Sequence, residues 1–213
     1  GNGRAVIEDS FYRGMLDNPN YTRPATWEGL EVPSVLLSGN AGEISRWRRS
    51  EAAKRTIARR PDLIARASIR EYVSGVSLAI LVNNFAADLS GIFELCAAYN
   101  LGRPNIIASS KENREAVKSK YPNAKVTGQV SRLLEDDTLT VKIFGSSRKN
   151  SLHSLEIKLR CLEHDGKILF VFAEKDESLE SVSGISSYLY ESEINCPLNV
   201  KIGIALDRFL GKR

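Results

Sequence analysis

From residue 76 to the C-terminus, short apolar runs alternate with helix-period stripes, and that alternation limits the chain to a small group of folds. Residues 76–83 form a nearly continuous apolar run, sized for a buried strand. Leu89, Ile92, Phe93 and Cys96 then recur at i, i+3, i+4 and i+7, the pattern of an amphipathic helix. Residues 105–109 read as a second strand and Lys111–Lys120 as a polar helix. Residues 138–144 alternate as a strand does, and Leu152, Leu155, Leu159 and Leu162 stripe a helix that Asp165 and Gly166 should stop. Lys167–Ala173 is a strong strand, residues 186–190 a weaker one, and Leu198–Leu210 a closing helix. Strands separated by helices predict a largely parallel sheet covered on both faces.

The N-terminal third is different. Residues 1–33 carry little apolar periodicity and contain Pro19, Pro24 and Pro33, which predicts an ordered, irregular linker. A helix should begin after Asn40, a good N-cap with Glu43 three residues on, and run to about Arg60, where Pro61 opposes its continuation. Ile44 and Trp47 share one face of it. Residues 64–75 look like a joint. The division expected is a small, mainly α domain over residues 1–68 and an α/β domain over residues 74–213.

Charge follows the same division. Residues 1–66 hold eleven Lys and Arg against eight Asp and Glu; residues 67–213 hold nineteen against eighteen. The excess concentrates in the first helix. Seven of the fifteen residues 46–60 are cations, namely Arg46, Arg48, Arg49, Lys54, Arg55, Arg59 and Arg60, against Glu51 alone. Most charge runs are solvated faces, but one so one-sided suits a surface that contacts phosphates. An apolar content of 42% can bury a core, and no run is long enough to span a bilayer. Cys96, Cys161 and Cys196 lie far apart and out of metal-ligand spacing, so buried thiols in a reducing cytoplasm are expected. His153 and His164 have no partners at ligand spacing, and Glu135, Asp136 and Asp137 suit a solvated loop better than a metal site. No metal site is predicted.

A series of short peptides in fixed order carries more specific information. They are Glu8-Asp9-Ser10-Phe11, Tyr21-Thr22-Arg23-Pro24, residues 35–40 (Val-Leu-Leu-Ser-Gly-Asn), Arg46-Trp47-Arg48-Arg49, and residues 59–63 (Arg-Arg-Pro-Asp-Leu). Together they resemble the C-terminal part of the bacterial tRNA (guanine-N1) methyltransferase (TrmD) family, which methylates the guanine 3′ of the anticodon. The resemblance covers roughly the first third of the chain. It implies tRNA as partner, S-adenosylmethionine as methyl donor, and Asp9 as the general base on guanine N1. It adds Arg23 to the run above as a contact to RNA. In the family, base and donor pocket come from different subunits, so a homodimer is implied, or pairing with a separate knotted methyltransferase domain. The family's donor-binding domain precedes a Gly-Asn step like Gly1-Asn2, so the chain is expected to be a fragment, inactive alone. Asn20 stands where the family usually has His.

The α/β part resembles, more loosely, the knotted SPOUT class of RNA methyltransferases. Residues 88–101 sit at its first motif, and residues 197–205 resemble its last, in which a Leu-Asn-Val step enters the closing helix. The resemblance implies a deep trefoil knot near residues 172–200, with Glu174, Leu198 and Asn199 nearest the methyl donor. Two departures stand out. Glu94 replaces the class's Arg, and the turn at residues 173–178 holds no Gly for close approach to a cofactor. The expected function is therefore the tRNA-binding, base-supplying portion of a tRNA (guanine-N1) methyltransferase, followed by a degenerate SPOUT-like domain. The alternative is a non-catalytic RNA-binding or dimerisation protein of the same ancestry.

Overall fold

The structure is a computed structural model that describes residues 14–83, 88–164, 166–192 and 196–211. Within the expected irregular linker, β1 (Thr26–Trp27) and β2 (Leu30–Glu31) form a two-residue hairpin. Its turn residues Glu28 and Gly29 both have positive φ, as tight hairpins require. A single turn, α1 (Ser34–Leu37), leads to α2 (Ala41–Arg59). The Asn40 side chain accepts from the amides of Gly42 and Glu43, so the expected N-cap is real. Pro61 ends α2 but also starts α3 (Pro61–Arg66), where its missing N–H costs nothing. The predicted joint is thus structured. It holds α3 and a 3₁₀ turn (Ile69–Glu71), and it buries Ile64, Ala67, Ile69 and Tyr72.

Six parallel strands follow: β3 (Gly75–Leu81), β4 (Asn105–Ile107), β5 (Lys125–Thr127), β6 (Thr138–Ser146), β7 (Lys167–Ala173) and β8 (Ile185–Tyr190). The order across the sheet is β5-β4-β3-β7-β6-β8. The longest register joins β3 to β7, from Gly75↔Lys167 to Leu81↔Ala173. Four helices accompany them: α4 (Ser90–Ala98), α5 (Lys111–Lys120), α6 (Ser154–His164) and α7 (Leu198–Leu210). The parallel sheet agrees with the reading from sequence. Leu152 does not join the α6 stripe as expected; it forms a bridge to Ser187 just before the helix.

The helices do not cover both faces, which corrects one expectation. Alternate residues of the central strands divide cleanly. Leu78, Ile80, Ile168, Phe170 and Phe172 pack with apolar residues of α4, α5, α6 and α7. Ala79, Leu169, Val171 and Ala173 face Leu179, Val182, Val130 and Leu133 instead. Those last four belong to two straps without α-helix, residues 128–134 and 176–183. Crossover handedness explains the split. The steps β3→β4, β4→β5 and β6→β7 all run one way along the sheet and carry helices. The steps β5→β6 and β7→β8 run the other way, so the same hand puts them on the opposite face. Only there are the connections too short for a helix. Gly184 ends the second strap at φ +143°, with Thr140 so close that a Cβ would lie 2.6 Å from its carbonyl oxygen.

The helical face holds the main core. Phe170 stacks on Phe209 of α7 with centroids 5.0 Å apart, and both rings are about 1% exposed. Burying each contributes roughly 1.5–3 kcal/mol. A second cluster joins the N-terminal helices to this body: Met15, Ala53, Ile64, Ala67 and Tyr72 pack with Leu162 of α6.

Candidate functional site

The basic helix α2 is held from one side. Ser50, Ala52, Ala53 and Thr56 are buried. Ser50 donates to Glu163 Oε1 at 2.9 Å. Thr56 Oγ1 donates to the Ala52 carbonyl and accepts from the Leu16 amide at 2.8 Å, which lays the segment around Met15 along the helix. α3 is anchored by Lys158 of α6, a lysine only 2% exposed. Its ammonium donates to the carbonyls of Ile64, Ala65 and Ala67 at 3.0, 2.6 and 2.8 Å. These carbonyls lie at the C-terminal end of α3, at the negative end of the helix dipole, and that of Ile64 also accepts from the Ala67 amide at 3.2 Å. Burial nevertheless pushes the Lys158 pKa down to about 8.

At 100° per residue, Arg48, Arg55 and Arg59 fall within about 40° of one another, beside buried Ala52 and about 140° from Ala53. The side chains of Arg48 and Arg59 are exposed and make no ion pair or hydrogen bond among the described residues. Arg55 reaches the Asp17 carbonyl at 3.4 Å and is half-buried. The other candidates are engaged differently. Arg60 forms a two-pronged pair with Asp62, Nε–Oδ1 2.9 Å and Nη2–Oδ2 2.7 Å, which holds the Asp62 carboxyl below its usual range. Lys54 pairs with Glu51 at 3.0 Å and lies 3.9 Å from Glu163. Arg49 is half-buried with Nη1 3.4 Å from Ser45 Oγ, and Arg46 is exposed near the N-terminal end. Arg23 is exposed beside the hairpin, where Tyr21 meets Trp47 at 6.1 Å between centroids. The sequence run thus separates into a stripe of three arginines, of which Arg48 and Arg59 are open and Arg55 is half-buried, and four cations turned elsewhere. Asp9 lies outside the described residues.

The turn after β7, where the methyl donor was expected, is closed by an ion pair that the sequence did not reveal. Lys201 of α7 donates to Asp176 Oδ1 at 2.7 Å and to the Ala173 carbonyl at 3.2 Å. Asp176 Oδ2 accepts from the Gly145 amide at 2.8 Å. The two side chains are 6% and 11% exposed. The Ala173 carbonyl and Gly145 amide are the backbone groups that this pair engages. They are already satisfied from within, by charges costly to displace. This internal pairing does not favour S-adenosylmethionine at this turn. Glu174 is exposed on the turn, and Leu198 is half-buried. Asn199 lines a shallow groove with Gly91, Glu94, Leu95, Ala98 and Val200, between α4 and α7.

A cleft of about 580 Å³ opens at the C-terminal ends of β3 and β4, between the two straps. Sequence reading passed it over because its polar residues are isolated Ser, Asn and Gln in loops. Burial pushes the Cys96 and Cys161 thiols up to about 11 and 12, as inert core cysteines; Cys196 is half-buried. His164 faces Asp137 at 3.6 Å, and Glu135 pairs with Lys167. Among the described residues no three His, Cys, Asp or Glu side chains gather as a metal site would need, and no helix is long and apolar enough to cross a membrane.

Comparison with known proteins falls on the same N-terminal part. Residues 1–66 match the family described as tRNA (Guanine-1)-methyltransferase TrmD. The chain is 56% identical over 77 residues to the tRNA (guanine-N(1)-)-methyltransferase of Chloroflexus aggregans, covering 36% of this chain and 30% of that protein. It is 51% identical over 71 residues to that of Frankia alni, covering 33% and 27%, and 51% identical over 80 residues to that of Burkholderia mallei, covering 38% and 30%. The chain spans no more than about 30% of the length of these relatives, and about a third of its own length is similar to tRNA (guanine-N(1)-)-methyltransferases.

Proposed function

We propose that the N-terminal third binds tRNA through the arginine stripe of α2 and supplies Asp9 to a guanine-N1 methyl transfer. Arg48, Arg55 and Arg59 carry this reading. They present three permanent cations along one stripe of α2, two of them exposed and Arg55 half-buried, within the part similar to tRNA methyltransferases. Arginine suits phosphate because its fork donates two hydrogen bonds at once. Asp9 would accept the N1 proton of guanine, which carboxylates do when held in line with the departing proton. The parallel sheet would serve as a scaffold of SPOUT type, with a knot near residues 172–200 and pairing of two copies in a cytoplasmic enzyme. Methyl-donor binding would come from outside this sheet, because the Lys201–Asp176 pair closes the turn where it would sit. That same pair favours a second reading, in which the chain binds RNA without catalysing its modification.

The test is tRNA affinity measured against salt for the full chain and for Arg48→Glu/Arg55→Glu/Arg59→Glu. The triple variant should bind on the order of 100-fold more weakly near 0.1 M salt. The slope of log affinity against log salt should fall by about 0.7–0.9 for each phosphate that the variant no longer neutralises. An unchanged slope would remove the stripe from the interface.

A further inference from the structure

The C-terminal edge of the sheet is closed at one point and open at another. At the open point, the cleft between the straps has a floor of Leu81, Val82 and Ile107 and a rim of serines, Asn83 and Gln129. None of its fourteen lining residues is charged. In a chain that is 26% charged, about three or four would be expected there by chance.

Its position follows from the topology. β3 and β7 are neighbours, but the chain leaves β3 toward β4 on the helical face and leaves β7 toward β8 on the strap face. Adjacent strands whose connections depart in opposite directions leave a crevice outside their carboxyl ends, where open α/β sheets bind ligands. The walls are fixed in advance. Asn83 Nδ2 donates to Ser178 Oγ at 2.7 Å, tying the end of β3 to one strap. Arg114 donates to the Ala108 carbonyl at 3.0 Å and packs against Gly128 at the root of the other. Within those walls, the side chains of Ser109, Gln129, Ser131 and Ser183 form no hydrogen bond among the described residues. Hydroxyl and amide groups both donate and accept.

We propose that this cleft binds an uncharged, planar, hydrogen-bonding ring: the base of a nucleoside, free or turned out of an RNA strand. The apolar floor suits one face of a ring, and the rim offers the mixed donors and acceptors that pair with its edge. Among the described residues no charged side chain lines the cleft, and the guanidinium of Arg114 behind Gly128 is engaged by the carbonyls of Ala108 and Ser109, which disfavours a site built for phosphate, carboxylate, sulfonium or amine. The volume lies within the roughly 300–1,000 Å³ usual for small-ligand sites. Turning a base out of a strand costs only a few kcal/mol, least where it is already unpaired. The proposal does not depend on the arginine stripe of α2.

The experiment is NMR titration of the full chain with adenosine, guanosine, cytidine and uridine, with their 5′-monophosphates, and with S-adenosylmethionine. At least one nucleoside should shift amides of the lining residues saturably, with Kd below about 1 mM, a free energy near −4 kcal/mol. Its monophosphate should bind no more tightly. Ser183→Trp, which fills the cleft from an exposed position, and Ser109→Asp, which charges it, should each weaken binding tenfold or more while leaving distant amides in place. A single-stranded oligonucleotide and the same strand with abasic sites then separate the sources. Tighter binding of the intact strand assigns the cleft to RNA; equal binding of the two strands, with nucleosides still bound, assigns it to free nucleosides. Absence of saturable shifts with all four nucleosides and the intact strand overturns the proposal. So does a monophosphate or S-adenosylmethionine that binds the cleft more tightly than any nucleoside.

Discussion

The basic helix and the sheet-edge cleft meet a ligand in opposite ways. α2 has charge without depth: Arg48 and Arg59 stand exposed on the helix surface, with the half-buried Arg55 between them. The cleft has depth without charge. A convex cationic stripe attracts polyanions from a distance and discriminates poorly between them, and its attraction fades with salt. A neutral concave site attracts nothing from afar and reads shape and hydrogen-bond pattern at close range. One molecule thus carries a surface suited to holding a nucleic acid and another suited to examining a piece of it.

The largest effect that would sharpen this contrast concerns chemistry, which the proposed function places with the N-terminal part alone. In a reaction completed by the donor-binding portion of a tRNA (guanine-N(1)-)-methyltransferase, Asp9→Asn should lower turnover by about 10²–10⁴-fold, the range for losing a general base. Affinity for tRNA should barely change, because Asn differs from Asp in basicity far more than in shape. Ser183→Trp in the cleft should lower turnover far less than Asp9→Asn, because it touches the holding of RNA and not the proton transfer. A loss from Ser183→Trp comparable to that from Asp9→Asn would break the division of labour.

A smaller effect tests whether the two regions are mechanically separate. Lys158→Met should leave the carbonyls of Ala65 and Ala67 without their side-chain donor, at a cost of roughly 2 kcal/mol, or about 4–8 °C in Tm for a chain of this size. The accompanying pH dependence has a definite sign. Lys158 has a pKa of about 8 when folded, against the ordinary 10.5. Below pH 8 it is charged in both states, and the cost of burying that charge is fully present. Between about 8 and 10.5 the unfolded chain binds more protons, so stability rises with pH relative to the Met variant, by at most about 1.4 kcal/mol per unit. Thermal melts of both proteins from pH 7 to 10 check it. A parallel pH course for the two would mean that Lys158 titrates normally.

Much of the fold was readable because local signals agreed. Lys167–Ala173 is apolar throughout after its first residue and bounded by turn formers, and it is a strand at those bounds. Lys111–Lys120 and Leu198–Leu210 likewise begin and end where their caps and periodicity put them. The strand β5 (Lys125–Thr127) was missed because three residues, one of them an exposed lysine, carry no period. One-sided helix coverage was missed because periodicity does not tell which way a crossover runs. Of the candidate site, the cationic run was plain in the sequence. Which cations stand open was not, because that depends on Asp62, Glu51 and Glu163 reaching Arg60 and Lys54 and on the Asp17 carbonyl reaching Arg55. Lys201 and Asp176 lie 25 residues apart and match no motif. Lys158 looks like any solvent-facing lysine until the helix it caps is folded against it.

That last interaction bears on how separable the pieces of the chain are. A loop that merely links two units can be cut, and the units drift apart. Here the final turn of α3 is completed by an amine contributed from nearly a hundred positions further along, and Ile64 is sealed beneath α6 beside it. Neither half is finished without the other. A protease that severed the backbone between residues 66 and 74 would leave a nicked protein that still migrates as one particle, its two fragments parting only under denaturant.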